Sequence, residues 1–382
     1  METQFLVSSV VLAIVVVAVT MGSLPFLILM ERKVAAYIQD RLGPNRVGPW
    51  GLLQSFADGL KIFLKEEVIP GKADGPLFVL APALAMFGAM ATLAIIPFGG
   101  VLRVPWLESP VAVQIAPGLD IGVLYVVMIA TASVYGIILG GWASNSKYPF
   151  FGALRGASQM LSYEAPLGLA LLSVVLLAGD LRPEAIVARQ AAEGWFILYQ
   201  PAVFLVFLIC AFAEANRLPF DLPESEQELV GGFHTEYSSM KFAMFFLGEY
   251  SHLIGSSALL VTLFLGGWHL PYLTPAVEGG IGQTLLKAAI FSGKVVVMIF
   301  VFMWVRWTLP RFRFDQLLRY GWCGLLPASL VLLCVSGVLA YLGLARTVWM
   351  LVGNVAVLVG VYGWMYLKES RSAAATDAAQ AG

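Results

Sequence analysis

The stretch IGVLYVVMIATASVYGIILGGW, from Ile121 to Trp142, contains no charged residue. A helix needs about 20 predominantly apolar residues to cross the hydrocarbon core of a bilayer, so this stretch is long enough to span a membrane. The stretches from Phe5 to Met30 and from Val348 to Leu367 are also uncharged and of similar length. Together they predict an all-α polytopic integral membrane protein.

The composition supports the same fold class. Hydrophobic residues make up 59% of the 382 residues and charged residues only 12%. Soluble globular domains carry about 25% charged residues, so this balance excludes a water-soluble fold. The first apolar stretch has no basic segment before it and no small-x-small cleavage motif after it. It is also longer than a signal-peptide core, and we therefore interpret Phe5 to Met30 as a retained first helix.

Apolar stretches bounded by glycine, proline or charge predict about nine transmembrane helices in a single membrane domain, 1–368. Their predicted positions are 5–30, 76–98, 121–142, 160–179, 195–213, 241–266, 283–306, 323–343 and 347–367. The Ala-rich segment 369–382 is predicted to be a disordered C-terminal tail.

Basic residues are distributed unevenly among the predicted loops. Loop 6 (267–282) carries none, whereas loop 1 carries Arg32, Lys33, Arg41, Arg46, Lys61, Lys65 and Lys72. Cytoplasmic loops of membrane proteins carry an excess of lysine and arginine. The odd-numbered loops and the C-terminal tail are therefore predicted to be cytoplasmic, with the N-terminus outside.

Loop 1 also contains a pattern typical of an amphipathic helix. Apolar side chains recur at steps of three or four residues, while polar ones occupy the other side: Trp50, Leu53, Phe56, Leu60 and Leu64 against Gln54, Asp58, Lys61 and Lys65. Such a helix either lies in the cytoplasmic membrane interface or packs on other cytoplasmic subunits or loops. Both alternatives place it at the membrane surface.

Three acids are predicted to lie at or inside membrane spans. Glu164 is near the start of the fourth span and Glu214 ends the fifth, while Glu249 lies inside the sixth, three residues before His252. An uncompensated carboxylate at the bilayer centre costs about 2.5–3.5 kcal/mol, so these acids should face the bundle interior and pair or take up a proton. One alternative is a set of ion pairs that fixes helix packing, with Lys287 and Lys294 as the candidate partners; the other is a proton route.

Loop 5 is the most acidic part of the sequence, with Asp221, Glu224, Glu226, Glu228 and Glu236 close together. Crowding of like charges makes the titration of such carboxyl groups a property of the whole group. A water-solvated loop would explain these acids. The apolar residues between them instead favour a segment folded into a partly dry pocket: Phe220, Leu222, Leu229, Val230, Phe233 and Tyr237.

Loop 7 is basic, and its arginines include Arg306, Arg311, Arg313 and Arg319. The segment could anchor the chain to anionic lipid, or it could hold the acids of loop 5 or the surface of another subunit. The three cysteines, Cys210, Cys323 and Cys334, show neither CxxC nor Cys/His spacing. The sequence therefore predicts no metal site and no disulfide framework.

Several of these segments, in this order, resemble one family of membrane proteins. The motifs are Glu31-Arg-Lys-Val, Arg41-Leu-Gly-Pro-Asn, Gly51-Leu-Leu-Gln-Ser-Phe-Ala-Asp-Gly-Leu-Lys61, Ser162-Tyr-Glu-Ala-Pro, Ala213-Glu-Ala-Asn-Arg-Leu-Pro-Phe-Asp-Leu and Leu309-Pro-Arg-Phe-Arg-Phe-Asp-Gln. They are similar to the family of H-type membrane subunits, which form the quinone tunnel of bacterial proton-pumping NADH:quinone oxidoreductase, respiratory complex I. The resemblance covers about residues 1–345.

The resemblance implies a role for each group of residues. Arg32, Arg41 and Asp58 would lie along a quinone tunnel or at its mouth, with Glu224, Glu226 and Glu228 in the acidic loop of the quinone cavity. A proton route would continue into the membrane through Glu164, Glu214, Glu249, Lys294, His252 and Glu236. Loop anchoring would fall to Arg217, Asp221, Arg311 and Arg313.

The same resemblance implies that the chain is not catalytic alone. Quinone would be the substrate, and flavin and iron–sulfur clusters would be held by partner subunits. The expected surroundings are hydrophilic quinone-site subunits, small membrane subunits and lipid of the bacterial inner membrane, without nucleic acid. One alternative is the membrane anchor of an energy-converting hydrogenase. Another, from a different class, is a secondary ion transporter, which would usually show inverted repeats that this sequence lacks.

Overall fold

The computed structural model describes residues 2–103, 110–274 and 280–380, without the side chains of 2–5, Glu226 and 366–380. The helices are α1 Glu2–Ile38, α2 Gln54–Phe63, α3 Gly75–Ala91, α4 Gly122–Ala143, α5 Lys147–Ala178, α6 Pro183–Glu193, α7 Pro201–Glu214, α8 Glu226–Leu229, α9 Ser239–Phe264, α10 Ile281–Thr308, α11 Phe314–Tyr320, α12 Leu326–Tyr341 and α13 Val348–Gln380. Two short strands, β1 Val101–Leu102 and β2 Val111–Ala112, pair antiparallel. The predicted all-α membrane fold is confirmed.

Eight helices of the described part are long and apolar enough to cross a membrane. The remaining predicted span, 195–213, forms a short 3₁₀ turn followed by α7, which has only 14 residues. At 1.5 Å per residue α7 is about 21 Å long, less than the ~30 Å of a hydrocarbon core. It is enclosed by the neighbouring helices, and residues such as Val203, Phe207 and Cys210 are fully buried.

Two predicted spans begin much earlier in the structure than hydropathy indicated. The fourth span was predicted from residue 160, but α5 already begins at Lys147. Lys147 and Arg155 interrupt the apolar pattern, whereas the small residues between them pack closely: a Cβ atom at Gly152 would lie 2.6 Å from the Phe233 backbone nitrogen. The eighth span begins at Phe314, because a π-helical turn at Gly321–Leu325 joins α11 to α12.

The centre of the bundle is formed by α5, α7 and α9. Its fully buried side chains include Tyr163, Phe207 and Phe264, which belong to one continuous hydrophobic cluster. α3 packs closely on α4 because Gly136 has no side chain: a Cβ atom there would lie 2.7 Å from the Ala85 backbone nitrogen. Small residues at helix interfaces allow backbones to approach in this way inside membranes.

The predicted amphipathic helix of loop 1 is confirmed as α2. Its apolar side chains face away from the bundle, and Trp50 just before it is 81% exposed. α2 contacts α1 through an edge-to-face pair of Phe56 and Phe26, whose ring centroids lie 5.9 Å apart. α2 therefore lies beside α1 with an apolar face left for lipid or for another subunit.

The backbone of α13 is helical as far as Gln380, and residues 381 and 382 lie outside the described part. The disordered tail over 369–382 stays a prediction, since the side chains of this segment are not described.

Candidate functional site

A cavity of about 470 Å³ opens between the ends of α1, α9 and α10. We call it the first cavity. Its volume lies within the 300–1,000 Å³ range of small-molecule sites. Charged and aromatic side chains line it together: Glu31, Arg32, Arg41, Arg217, Glu224, His234, Phe242, Phe245, Phe246, Glu249, Tyr250, Arg306 and Trp307. The apolar rings suit a flat organic ligand, and the guanidinium groups are donors for carbonyl or anionic oxygens.

Glu31 is the centre of a buried ion cluster in the wall of this cavity. Nη1 of Arg217 lies 3.0 and 3.1 Å from the two oxygens of the Glu31 carboxylate. The Tyr250 hydroxyl donates to the same carboxylate at 2.7 Å, and Arg306 also donates to it. The cluster joins α1, α9, α10 and the segment after α7.

Arg217 connects this cluster to Glu249. Its Nε atom lies 2.8 Å from Oε1 of Glu249, and its guanidinium carbon lies 4.3 Å from the Tyr250 ring centroid. The side chain is only 3% exposed. A buried charge is tolerated when it is paired, and here one guanidinium is shared by two carboxylates. Arg217, predicted to anchor a loop, therefore lies at the centre of the candidate site.

Two residues of the predicted tunnel mouth line the first cavity, and the third contacts one of them. Arg32 and Arg41 are wall residues, and Arg41 Nε donates to Gln39 at 2.7 Å. Asp58 of α2 pairs with Arg32 and accepts from Gln54 at 3.1 Å. The ion pair of Asp58 with Arg32 thus connects α2 to the edge of the first cavity.

The acids of loop 5 occupy different surroundings. Glu224 lies in the cavity wall, 3.9 Å from Nδ1 of His234, and burial lowers the pKa of His234 to about 4. Glu228 is exposed and pairs with Arg155 of α5. Glu236 is half-buried and does not line the first cavity. The side chain of Glu226 is outside the part of the chain that the structure describes.

The apolar residues of loop 5 are mostly buried, as the interpretation of a partly dry segment requires. Phe220, Leu222, Leu229, Phe233 and Tyr237 are each less than a tenth exposed, whereas Val230 is 65% exposed. The basic loop 7 holds this segment. Arg311 Nη2 donates to Asp221 at 3.0 Å, and the Phe312 N–H donates to the Pro219 carbonyl at 3.4 Å. The backbone N–H of Arg313 donates to the Gln316 side chain at 3.3 Å.

Two smaller cavities extend from the first one into the bundle. The second, of about 50 Å³, shares Glu224 and Glu249 with the first. The third, of about 20 Å³, shares Glu214 with the second and is also lined by Glu164. A water molecule needs about 10–15 Å³ of such space, so both can hold water. Each pair of adjoining cavities therefore has at least one acid that lines both of them.

Among the described residues, the neighbours found for Glu164 and Glu214 are hydroxyl and imidazole groups. Glu164 accepts a hydrogen bond from the Thr131 hydroxyl of α4. Glu214 lies 3.7 Å from Nε2 of His252, whose Nδ1 is 3.3 Å from the Ser256 hydroxyl. Glu214, Glu249 and His252 thus line the second cavity, and Glu164 and Glu214 line the third.

Lys294 is placed elsewhere. Its Nζ atom donates to the carbonyl oxygens of Leu265, Gly267 and His269, at 2.6, 3.0 and 2.6 Å. It also lies 4.6 Å from the Trp195 ring centroid. The expected pairing of Lys294 with an embedded acid is therefore not found in the described part, where Glu249 pairs with Arg217 and Glu214 lies beside His252.

The structure offers no candidate metal site within the described residues, where no group of three His, Cys, Asp or Glu side chains converges. All three cysteines carry free thiols.

Comparison with known proteins places the chain in a family. Residues 10–337 match the family model described as NADH dehydrogenase. The chain belongs to the NADH dehydrogenase family. An H-type subunit of NADH-quinone oxidoreductase from Geobacter metallireducens is 50% identical over 313 residues, which cover 82% of this chain and 90% of that protein. The H-type subunit of Cytophaga hutchinsonii is 44% identical over 334 residues, 87% and 97% of the two chains, and that of Flavobacterium johnsoniae is 45% identical over 339, 88% and 96%.

Membership of the NADH dehydrogenase family confirms the resemblance that the motifs indicated, and with it an oxidoreductase subunit that spans the membrane. These relatives are all named as subunits of NADH-quinone oxidoreductase, so the comparison supports neither of the two alternatives, the hydrogenase anchor and the ion transporter.

Sequence reasoning missed three members of the cluster, Glu31, Tyr250 and Arg306. Glu31 and Arg306 lie near the ends of α1 and α10, where a polar residue is expected at the membrane surface, whereas Tyr250 lies in the middle of α9. The available signal was the Glu31-Arg-Lys motif, whose acid follows an apolar run directly.

Proposed function

We propose that this chain is the membrane subunit of a proton-translocating NADH:quinone oxidoreductase, in which the first cavity receives the quinone and the buried acids form the proton route. One observation carries the proposal. The three cavities adjoin at Glu249, Glu224 and Glu214, so a charge change in the first cavity meets an acid that also borders the second.

The lining of the first cavity supports quinone as the ligand. A quinone is flat and largely apolar, and it presents two carbonyl oxygens that accept hydrogen bonds. The rings of Phe242, Phe246 and Trp307 provide apolar walls, while Arg41 and Arg306 provide donors. Reduction adds two electrons and two protons to the quinone, and the electrons would come from a partner subunit that holds the iron–sulfur clusters and flavin.

The ion cluster suggests how reduction and proton movement are linked. Arg217 is shared by Glu31 and Glu249. A negatively charged quinone species in the cavity would compete for the same guanidinium, because opposite charges attract strongly where water is excluded. Glu249 would then lose part of its partner and take up a proton, which it could pass toward Glu214 through water in the second cavity.

The surroundings proposed for the chain follow from the same assignment. Its partners are the hydrophilic quinone-site subunits and neighbouring small membrane subunits, and it holds no cofactor of its own. The proposed location is the inner membrane, and the basic residues of loop 1 support an N-terminus outside. A C-terminus in the cytoplasm requires an odd number of crossings, so the proposal counts the buried α7 as a ninth crossing beside the eight long helices of the described part.

Substitution of Glu249 tests the proton route. An acid that exchanges protons can be partly replaced by Asp but not by Gln, whereas an acid that only balances Arg217 is needed for assembly. We expect Glu249→Gln to assemble but to lose about 100-fold or more of NADH:quinone turnover, a typical loss for general acid–base groups. Glu249→Asp should keep a substantial part.

Complex abundance on a native gel and NADH:quinone activity in membranes are measured together, with NADH oxidation by a soluble artificial acceptor as the internal reference. Glu193→Gln is the matched control, because Glu193 pairs with Arg346 at a distance from all three cavities. Full activity of assembled Glu249→Gln would contradict the proton route.

A further inference from the structure

Gln159 of α5 fixes both ends of the segment that carries Arg217. Its side chain is fully buried. The Nε2 atom donates to the carbonyl oxygens of Ala213 and Phe220, both at 2.7 Å, and lies 3.3 Å from Oδ1 of Asn216. One amide group therefore closes the segment 213–220 into a loop.

This loop cannot hold itself in place by regular secondary structure. α7 ends at Glu214, and the last carbonyls of a helix lack partners within it. Asn216 adopts a left-handed conformation with φ of 49°. Within the loop, Arg217 N donates to Phe212 O at 3.2 Å and Phe220 N donates to Arg217 O at 2.8 Å. The Ala213 carbonyl also accepts from the Asn216 N–H at 3.4 Å, so Gln159 adds a shorter bond to that carbonyl and supplies the bond to the Phe220 carbonyl at the other end.

We infer that Gln159 is a positioning residue for the quinone reaction, which it affects through Arg217. It does not line the first cavity. By holding the backbone of Arg217 against α5, it places one guanidinium within 3.0 Å of Glu31 and 2.8 Å of Glu249. This inference rests on the proposed function, because it assigns no chemistry to Gln159 itself.

A second buried glutamine provides a matched control. Gln200, just before α7, is also fully buried, and its Nε2 atom donates to Ser173 O at 3.2 Å and to the Ser336 hydroxyl at 3.3 Å. It joins α5, α7 and α12 at the opposite end of α7 from Arg217. Gln159→Met and Gln200→Met each remove a buried amide while keeping similar length and volume.

The experiment measures kcat and KM for quinone in membranes containing the assembled complex. A displacement of about 1 Å in a positioned group can cost on the order of 100-fold in rate. We expect Gln159→Met to lower kcat/KM for quinone by about 10-fold or more, with NADH oxidation by an artificial acceptor unchanged. Gln200→Met should leave both activities at the parental level, so equal effects of the two variants would overturn the inference.

A double-mutant cycle with Arg217→Lys separates positioning from general packing, since only residues acting through one another are non-additive. We expect Gln159→Met to change kcat/KM by less than about 2-fold in the Arg217→Lys background. Additivity overturns the inference while leaving the proposed function intact. If Arg217→Lys alone leaves quinone reduction unchanged, the proposed role of the ion cluster fails. If Gln159→Met still lowers kcat/KM in that case, Gln159 does not act through Arg217 and the inference is overturned.

Should Gln159→Met fail to assemble, Gln159→Asn and Gln200→Asn replace the pair, because asparagine keeps the amide but is too short to reach both carbonyls. Loss of assembly by both Gln159 variants, with both Gln200 variants assembled, overturns the positioning role in favour of packing.

Discussion

Arg217 and Lys294 are two cations enclosed by the same bundle, and each lies over an aromatic ring, but their partners differ in kind. Arg217 is shared by two carboxylates. Lys294 donates to three backbone carbonyls. A carboxylate can take up a proton when its cation is drawn away, whereas a backbone carbonyl cannot. The carboxylates of the first arrangement can respond to a charge in the cavity, whereas the carbonyls of the second hold a chain segment in place.

The geometry of each partner set matches the cation. The planar guanidinium of Arg217 offers several donors in a fixed fork, which suits two acids at once. The ammonium of Lys294 has three donors, and three carbonyls converge on it where α9 ends. Gly266 allows this turn with φ of 73°, and a Cβ atom there would lie 2.6 Å from Nε1 of Trp195. Lys294 therefore resembles a helix C-cap, with its charge at the negative end of the α9 dipole.

The largest effect is expected from removing the charge of Arg217. Arg217→Leu leaves Glu249 without its cation and Glu31 with only Arg306, and an unpaired buried charge costs about 3–5 kcal/mol. We expect the complex not to assemble on a native gel. Arg217→Lys keeps the charge but loses the fork, so it should assemble and lose most quinone turnover. Normal quinone reduction by Arg217→Leu would remove the distinction between the two cations.

A smaller effect on assembly and none on turnover is expected from Lys294→Met. The change leaves three carbonyls without their donor, at about 1–3 kcal/mol each if they stay buried. The amount of assembled complex, or its melting temperature in detergent, should fall. Quinone turnover per assembled complex should equal that of the parent, with Lys287→Met as the control for loss of a neighbouring charge. Reduced turnover per complex would instead support the proton-route role predicted for Lys294.

The smallest effects are expected from the two rings. Tyr250→Phe keeps the ring over Arg217 but removes the hydroxyl that donates to Glu31 at 2.7 Å. A hydrogen bond to a charged group contributes about 1.5–3 kcal/mol, so KM for quinone should change by roughly 10-fold. Trp195→Phe keeps a ring over Lys294 and should leave quinone kinetics unchanged. Equal responses to the two substitutions would mean that the clusters are functionally alike.

The grouping of the acids could be predicted from the sequence because an embedded carboxylate is costly and must face the bundle interior. For this reason Glu164, Glu214 and Glu249 were predicted to face the bundle interior, and they line the second and third cavities. Their partners could not be predicted, because spacing along one helix says nothing about which side chain of another helix reaches it. The pairing of Lys294 with carbonyls and the position of Arg217 were therefore both missed.

By itself the sequence determined that most of the chain lies in lipid, that its fold is all-α, and which side of α2 faces away from the bundle. These follow from hydropathy and periodicity, which act within one segment. Only the tertiary structure decided which of the embedded charges share a partner, because that depends on contacts such as Glu31 to Arg217, which are 186 positions apart. It also decided that the three cavities meet at acids, since a cavity is enclosed by several helices and is encoded in none of them alone.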